Sequence, residues 1–121
     1  MDMKIELIPV PVSDTDRAIE FYKKAGFNVD HDHKVQPGLR FVQLTPPGSA
    51  CSIVLGEGIT EMLIGSQHIQ MVVSSAQQAY EQLKASGVEA SEPEELPWGI
   101  FTNFSDPDGN TWAVQQITSR S

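Results

Sequence analysis

The chain has 121 residues, enough for one domain, and its 40% apolar content supplies a core that needs no disulfide or metal. Sixteen acidic against eight basic residues leave a net charge of −8. That excludes a general nucleic-acid binder, whose phosphate contacts need a basic face, and fits a soluble protein or one with a cationic ligand. Cys51 is the sole cysteine, so neither an intramolecular disulfide nor a cysteine-rich zinc site can form. The start, MDMKIELIPVPV, lacks the pattern of a secretory signal, and no run approaches the roughly 18 apolar residues of a membrane span. A cytoplasmic protein without membrane or nucleic-acid partners is expected.

Residues 4–12, KIELIPVPV, form a β-rich run in which Pro9 and Pro11, lacking ladder donors, predict an irregular or edge section. Ser13 or Asp14 then caps a helix whose apolar positions are Ala18, Ile19, Tyr22 and Ala25, with Gly26 as its stop. FNVD, LRFVQLT and CSIVLG read as strands, with PPGS as a tight turn between the last two. His31, Asp32 and His33 fall in a polar link after the first of these strands. Residues 57–65 are a linker containing Gly58 and Gly65. HIQMVV reads as a strand, Ser74 or Ser75 as a second cap, and Ala76, Ala79, Tyr80 and Leu83 as a second apolar helix face stopped by Gly87. VEA, GIFTNFS and TWAVQQI follow as strands, with DPDGN as the last turn. Residues 91–97, SEPEELP, are an acidic loop: a solvated connection, or alternatively a lid over a pocket.

The two halves repeat one another. Val12, Ser13, Ala18, Glu20, Lys23 and Gly26 match Val73, Ser74, Ala79, Glu81, Lys84 and Gly87 at a constant offset of 61, and Pro46 and Gly48 fall on Pro107 and Gly109 at the same offset. The chain is therefore expected to be an α+β protein of two βαβββ modules, residues 1–56 and 66–121, within one domain spanning residues 1–121.

VPVSDTDRAIEFYKKAGF, the strand starting at His68 and FSDPDGNTWAVQQ together resemble the vicinal oxygen chelate superfamily, over nearly the whole chain. That superfamily contains glyoxalases, extradiol dioxygenases, fosfomycin-resistance transferases and bleomycin-binding proteins. The resemblance implies paired modules whose sheets curve around one cavity. It also implies a homodimer, with exchange of modules between chains among the arrangements allowed. Its enzymes hold a divalent metal with ligands from the first and fourth strands of each module. Carried over by position, those slots are Leu7, Ser52, His68 and Ala113. Leu and Ala donate nothing and a serine hydroxyl is a poor ligand, so one histidine remains where three or four donors are usual. No metal and no other cofactor is expected. A divalent metal held atypically by His68 with Glu6, or with His31 and His33, is the alternative.

Strand alternation from those slots gives the inward set Leu7, Pro9, Ser52, Val54, His68, Gln70, Ala113 and Gln115, with Trp98 as a stacking residue at the mouth. Such a lining of apolar walls and a few polar points suits a small organic ligand. Alternation turns Trp112 away from the cavity into sheet–helix packing. Phe21, Tyr22 and Tyr80 belong to the core, and Cys51 reads as a small buried hydrophobe. His68 either hydrogen-bonds to Gln70, Ser52 or water, or serves as a lone general base. The leading expectation is a metal-independent small-molecule binder of the bleomycin-resistance kind. The alternatives are a glyoxalase- or dioxygenase-type metal enzyme with an unorthodox site, and a metal-free enzyme using His68.

Overall fold

The computed structural model describes residues 1–118. Helix α1 runs Thr15–Lys24 and α2 runs Ala76–Ala85. Each starts where a short polar side chain satisfies an orphan backbone donor: Asp14 accepts from the Arg17 amide at 3.0 Å and Ser75 from the Gln78 amide at 3.1 Å. Of the paired cap candidates, Asp14 and Ser75 thus take the position. Each helix ends just before a glycine with positive φ, Gly26 and Gly87.

The strands are β1 (Leu7–Pro9), β2 (Asn28–Gln36), β3 (Leu39–Thr45), β4 (Ser52–Glu57), β5 (His68–Val73), β6 (Glu94–Leu96), β7 (Gly99–Ser105) and β8 (Thr111–Gln116). They form two mixed sheets of the same topology, β1-β4-β3-β2 and β5-β8-β7-β6, each with a parallel pair at one edge. The α+β fold of two βαβββ modules is as the repeat implies.

Four local expectations are corrected. Strand β1 is three residues long because Pro9 and Pro11 cannot donate to a ladder. The polar HDH stretch is no link: β2 continues through it to Gln36, pairing with β3 and kinked by irregularities at Val29/His31 and Lys34/Gln36. A charged, bulged edge strand shows no apolar alternation, which hides it from periodicity. The acidic stretch 91–97 contains strand β6, paired with β7, and VEA contributes only an isolated bridge between Ala90 and Phe104.

The fourth correction concerns the repeat itself. The helices keep the offset of 61, but Leu39 is matched by Gly99 and Ser52 by Thr111, so the second copy is one residue shorter before its third strand and one more in the hairpin. The ladders agree: Leu7 pairs with Ser52, and His68 with Thr111. Ala113, two residues on, therefore corresponds to Val54 and not to Ser52.

Both sheets turn one face to a single core. Val42, Leu44, Ile53 and Leu55 of the first sheet join Phe104, Trp112 and Val114 of the second, with Ile19, Tyr22 and Leu83 of the helices between them. Trp112 is 1% exposed. It stacks on Phe104 at 5.9 Å and meets Phe27 edge-on at 5.3 Å and Tyr22 at 5.7 Å. Burying side chains of this size contributes about 2–3 kcal/mol each. Phe21 packs at the margin of the core, half-buried, whereas Tyr80, expected there too, is half-buried on α2 outside the core cluster, with Lys84 over its ring at 5.7 Å. The sequence assigns Trp112 to sheet–helix packing, and so it is, but the helix it meets belongs to the other module.

The DPDGN turn fastens the modules together. The Asp106 carboxylate accepts from the Asn110 amide at 2.9 Å, the Asp108 amide at 3.0 Å and the Tyr22 hydroxyl at 2.8 Å. Asn110 donates to the Pro11 carbonyl at 2.8 Å and accepts from the Gln67 amide at 3.0 Å. Asp108 accepts from the Ser13 amide at 3.0 Å and from Arg17 at 3.3 Å. Every buried side-chain polar atom among the described residues has a partner.

Candidate functional site

Because the inner faces share one core, the alternate residues of both sheets face away from it. On the first sheet this outer face carries Leu7 and Pro9 from β1, Ser52 and Val54 from β4, and Phe41, Gln43 and Thr45 from β3. On the second it carries His68, Gln70 and Val72 from β5, Thr111, Ala113 and Gln115 from β8, and Phe101 and Asn103 from β7. The structure thus brings Leu7, Pro9, Ser52 and Val54 together, and His68, Gln70, Ala113 and Gln115 together. It does not join the two groups in one cavity within the chain. The physical reason is the shared core: α1 and α2 lie between the sheets, so the two outer faces point apart.

Each outer face has a buried floor and an exposed rim. Ser52, Val54, Ala113, Gln115 and Phe101 are all under a tenth exposed, whereas Leu7, His68, Gln70 and Val72 are exposed. Ser52 shares a 2.6 Å hydrogen bond with the Thr45 hydroxyl and accepts from Gln43 at 3.3 Å. Thr45 also donates to Asp30, and this bond with that from Asn28 holds the Asp30 carboxyl below the usual carboxylate range. His68 finds neither Gln70 nor Ser52: its Nδ1 shares a 2.7 Å hydrogen bond with Thr111, its ladder partner. Gln70 donates to Gln115, and Gln115 donates in turn to the Trp98 carbonyl at 2.8 Å.

That last bond needs Gly99. Its φ is +154°, and a Cβ there would lie 2.7 Å from the Gln116 carbonyl oxygen and 3.0 Å from the Gln115 side-chain nitrogen. The missing side chain lets Gln115 cross the strand and fix the Pro97–Trp98 turn. Trp98 stands 64% exposed at that turn, the end of the second outer face.

The register completes the faces with residues the sequence pattern missed. Ladder partners share a face, so Glu94, opposite Phe101, belongs to the second outer face, and His31 and His33, opposite Gln43 and Phe41, belong to the first. Asp32 points the other way, where Arg40 grips it through Nε at 2.9 Å and Nη2 at 2.8 Å. Arg40 also donates to Asp16 of α1 at 2.9 Å. Phe41, Gln43, Phe101, Asn103 and Thr111 carry no motif; only the strand pairing selects them.

These donors do not fit the divalent ion of the metal-dependent enzymes. With the register corrected, the positions are Leu7, Val54, His68 and Ala113, and a single imidazole is the only ligand among them. Among the described residues no three His, Cys, Asp or Glu side chains are grouped to hold a metal, the HDH stretch and Glu6 included.

Elsewhere, a cleft of about 590 Å³ opens between the modules on the inner side, lined by Ile8, Phe27, Ile53, Ile69, Met71 and Leu83 among others. Cys51 borders this cleft and is half-buried, not fully enclosed as its neighbours suggest. Among the described residues no helix is long and apolar enough to cross a membrane.

The duplicated modules, the DPDGN turn and the outer faces define the class. Residues 4–114 match the model of the Glyoxalase/Bleomycin resistance protein/Dioxygenase superfamily, and the chain belongs to that family. It is 30% identical to the uncharacterized protein YetH of Bacillus subtilis (strain 168), over 96% of this chain and 100% of that protein. It is similar in structure to TnmS3, an antibiotic binding protein from Streptomyces sp. CB03234, with a TM-score of 0.85 and 31% identity over 97% of this chain and 98% of that one. A glyoxalase/bleomycin resistance protein from the same Streptomyces strain has a TM-score of 0.80 and 32% identity over 93% of this chain and 100% of that one.

Proposed function

We propose that the protein binds a small organic molecule without a metal, in a site built from the outer face of the first sheet and the outer face of the second sheet of another copy. The observation that carries the reading is the floor around Ala113: a short apolar residue at a ligand position of the metal enzymes, flanked by Gln70, Gln115 and Asn103. A sheet face with an apolar floor and a few amides around it suits an organic ligand better than an ion. The similarity to an antibiotic binding protein supports the same reading, with sequestration of a drug or toxin as the biological role.

The same geometry supports a homodimer as the assembly of this reading. Each half-site in one chain needs a second wall, and the outer edges of β1 and β5 are unpaired. Met1, Met3, Ile5 and Leu7 extend an exposed apolar stripe from β1, and Val72 adds another apolar residue on β5. Closing the half-sites against each other is the arrangement this reading gives these surfaces.

A second reading has one observation in its favour. In the tautomer whose Nδ1–H donates to Thr111, Nε2 of His68 is the basic nitrogen on the outer face and can accept a proton from a bound molecule.

The test combines calorimetry with a panel of polycyclic antibiotics and planar metabolites, in the presence and absence of chelator, on the wild type and Ala113→Phe. Binding that survives chelation and is lost in Ala113→Phe, with the fold intact, supports the proposal. Binding that needs added metal, or that ignores Ala113→Phe, overturns it. Turnover of a bound compound that stops in His68→Ala would establish the second reading.

A further inference from the structure

A further cleft lies away from the outer faces, where β1 leads into α1. It encloses about 490 Å³ between that connection and the chain that follows β4. Val10 and Val12 on one side and Ile59, Met62 and Ile64 on the other give it apolar walls. Asp14, Thr15, Asp16, Arg40 and Glu57 supply its polar lining.

Thr15 is 7% exposed, and its hydroxyl takes no hydrogen-bond partner among the described residues. Every sealed side-chain polar atom there has a partner, so this hydroxyl is open, and the space that Thr15 borders is the cleft. A hydroxyl enclosed in this way and left unbonded adds nothing to the fold.

The charge around it is negative. Glu57 is the ladder partner of Arg40, so both side chains stand on the inner side of the first sheet. Arg40 does not neutralise Glu57, because its guanidinium is spent on Asp32 and on one oxygen of Asp16 at 2.9 Å. Asp14 gives one oxygen to the Arg17 amide, and the Arg17 side chain turns to Ser13 and Asp108. The second oxygens of Asp14 and Asp16 and both oxygens of Glu57 have no partner among the described residues. These carboxylates also offset the positive end of α1. An anion here would face three carboxylates and a guanidinium already paired, a burial that nothing compensates. Among the described residues no three acidic, histidine or cysteine side chains are grouped to hold a metal ion, which leaves a larger, organic cation.

We infer that this cleft binds a small primary amine with an apolar chain, its ammonium held by the Thr15 hydroxyl oxygen and the carboxylates of Asp16 and Glu57, its chain laid along Ile59, Met62 and Ile64. The site is separate from the outer faces and does not depend on the binding reading above.

Three six-carbon probes test it: n-hexylamine, 1-hexanol and hexanoate. At about pH 7 the amine is protonated, as a lysine side chain is, and hexanoate is ionised. Calorimetry should give the order amine, alcohol, acid, with the amine about tenfold or more tighter than the alcohol, as for hydrogen bonds to a charged group. Added salt should narrow that gap. Amide resonances of Thr15, Asp16 and Ile59 should shift with the amine. Glu57→Gln should weaken the amine about threefold, as for a partly exposed charge pair, and leave hexanol unchanged. Thr15→Val removes the hydroxyl and keeps the bulk of the side chain. It should weaken the amine about tenfold and unfold no lower than the wild type, since that hydroxyl bonds to nothing in the fold.

Shifts confined to Gln70, Ala113 and Gln115 would put the amine on the outer face and overturn the assignment of this cleft. Hexanol or hexanoate binding as tightly as the amine would overturn the ammonium. A Thr15→Val protein that unfolds well below the wild type would make the hydroxyl structural and overturn its role in the site. Absence of hexylamine binding at millimolar concentration would overturn the site itself.

Discussion

The indole nitrogen of Trp112 donates to the Tyr22 hydroxyl at 3.0 Å, and the same hydroxyl donates to Asp106 at 2.8 Å. Tyr22 belongs to the first module and the other two residues to the second. One buried oxygen thus joins the halves of the repeat in the middle of the aromatic cluster. Burial, the Asp106 charge and the bond to its carboxylate push the phenol far above its ordinary pKa, so it stays a neutral donor.

Removing that oxygen in Tyr22→Phe strands the Trp112 donor and takes one partner from Asp106, while the ring packing is kept. Stability should fall by about 1–3 kcal/mol. Urea denaturation should show a lower midpoint with an unchanged slope, because no extra surface is exposed on unfolding. An unchanged midpoint would mean that the Tyr22 hydroxyl adds nothing to the joint between the modules.

Gly99→Ala probes the turn that carries Trp98. The new Cβ collides with backbone at Gln116 and with the Gln115 side chain, and it occupies a φ that L residues rarely adopt. A loss of about 1–3 kcal/mol is expected from the strain. Loss of the Gln115 bond should also free the turn, seen as a change in Trp98 emission. Trp112→Phe supplies the background in which that emission is isolated. Unchanged emission and stability would show that the turn holds itself.

Much of this architecture was legible because local rules act on short windows. Asp14 and Ser75 announce helices through a single side chain and the apolar spacing behind it. Trp112 and Ala113 are assigned to opposite faces by alternation alone, and the inner placement of Trp112 follows that pattern. What stayed hidden depends on partners distant in the chain. His31 and His33 are in a strand only because β3 pairs with them. Two single-residue shortenings in the second module change the offset from 61 to 60 at the third strand and 59 at the fourth, so Gly48 and Gly109 agree in residue type but not in structural position, and Ser52 moves from the level of Ala113 to that of Thr111. Alternation also says which residues leave the core but not whether two outer faces meet. Here α1 packs between both sheets, and the lining set is divided.

Acid stability should depend on Arg40. Its hydrogen bonds hold the Asp32 carboxyl below the usual range. A depressed folded-state pKa gives stability that is present above the unfolded value, about pH 4, and lost as pH falls through the folded value. Asp32 is 35% exposed, so solvent screening keeps its contribution under about 1 kcal/mol. Asp32→Asn should lower stability near neutrality and flatten the decline below about pH 4. Identical acid profiles for the two proteins, followed by thermal unfolding across that range, would show that Asp16 alone satisfies Arg40.

The metal positions give the last test. Leu7 and Ser52 lie level in the first ladder, as His68 and Thr111 do in the second, whereas Ala113 lies two residues beyond His68 on the neighbouring strand. The diagonal partner of Leu7 is therefore Val54. Untagged protein analysed for Zn, Ni, Fe and Mn should hold well under one metal per chain, and His68→Ala should leave that content unchanged. His68 is exposed with Thr111 as its hydrogen-bond partner, so the same variant should cost no more than about 0.5 kcal/mol of stability. The combined variant Leu7→His, Val54→Glu, Ala113→Glu adds three donors to the native imidazole. If the outer faces meet across two copies, it should bind Zn²⁺ with about one ion per chain. Placing the glutamate by Ser52→Glu instead of Val54→Glu should bind markedly more weakly, since that carboxylate sits one row away from the others. Equal Zn²⁺ binding by the two variants would refute the register assignment, and near-stoichiometric metal in the wild type that disappears with His68→Ala would refute the metal-free reading.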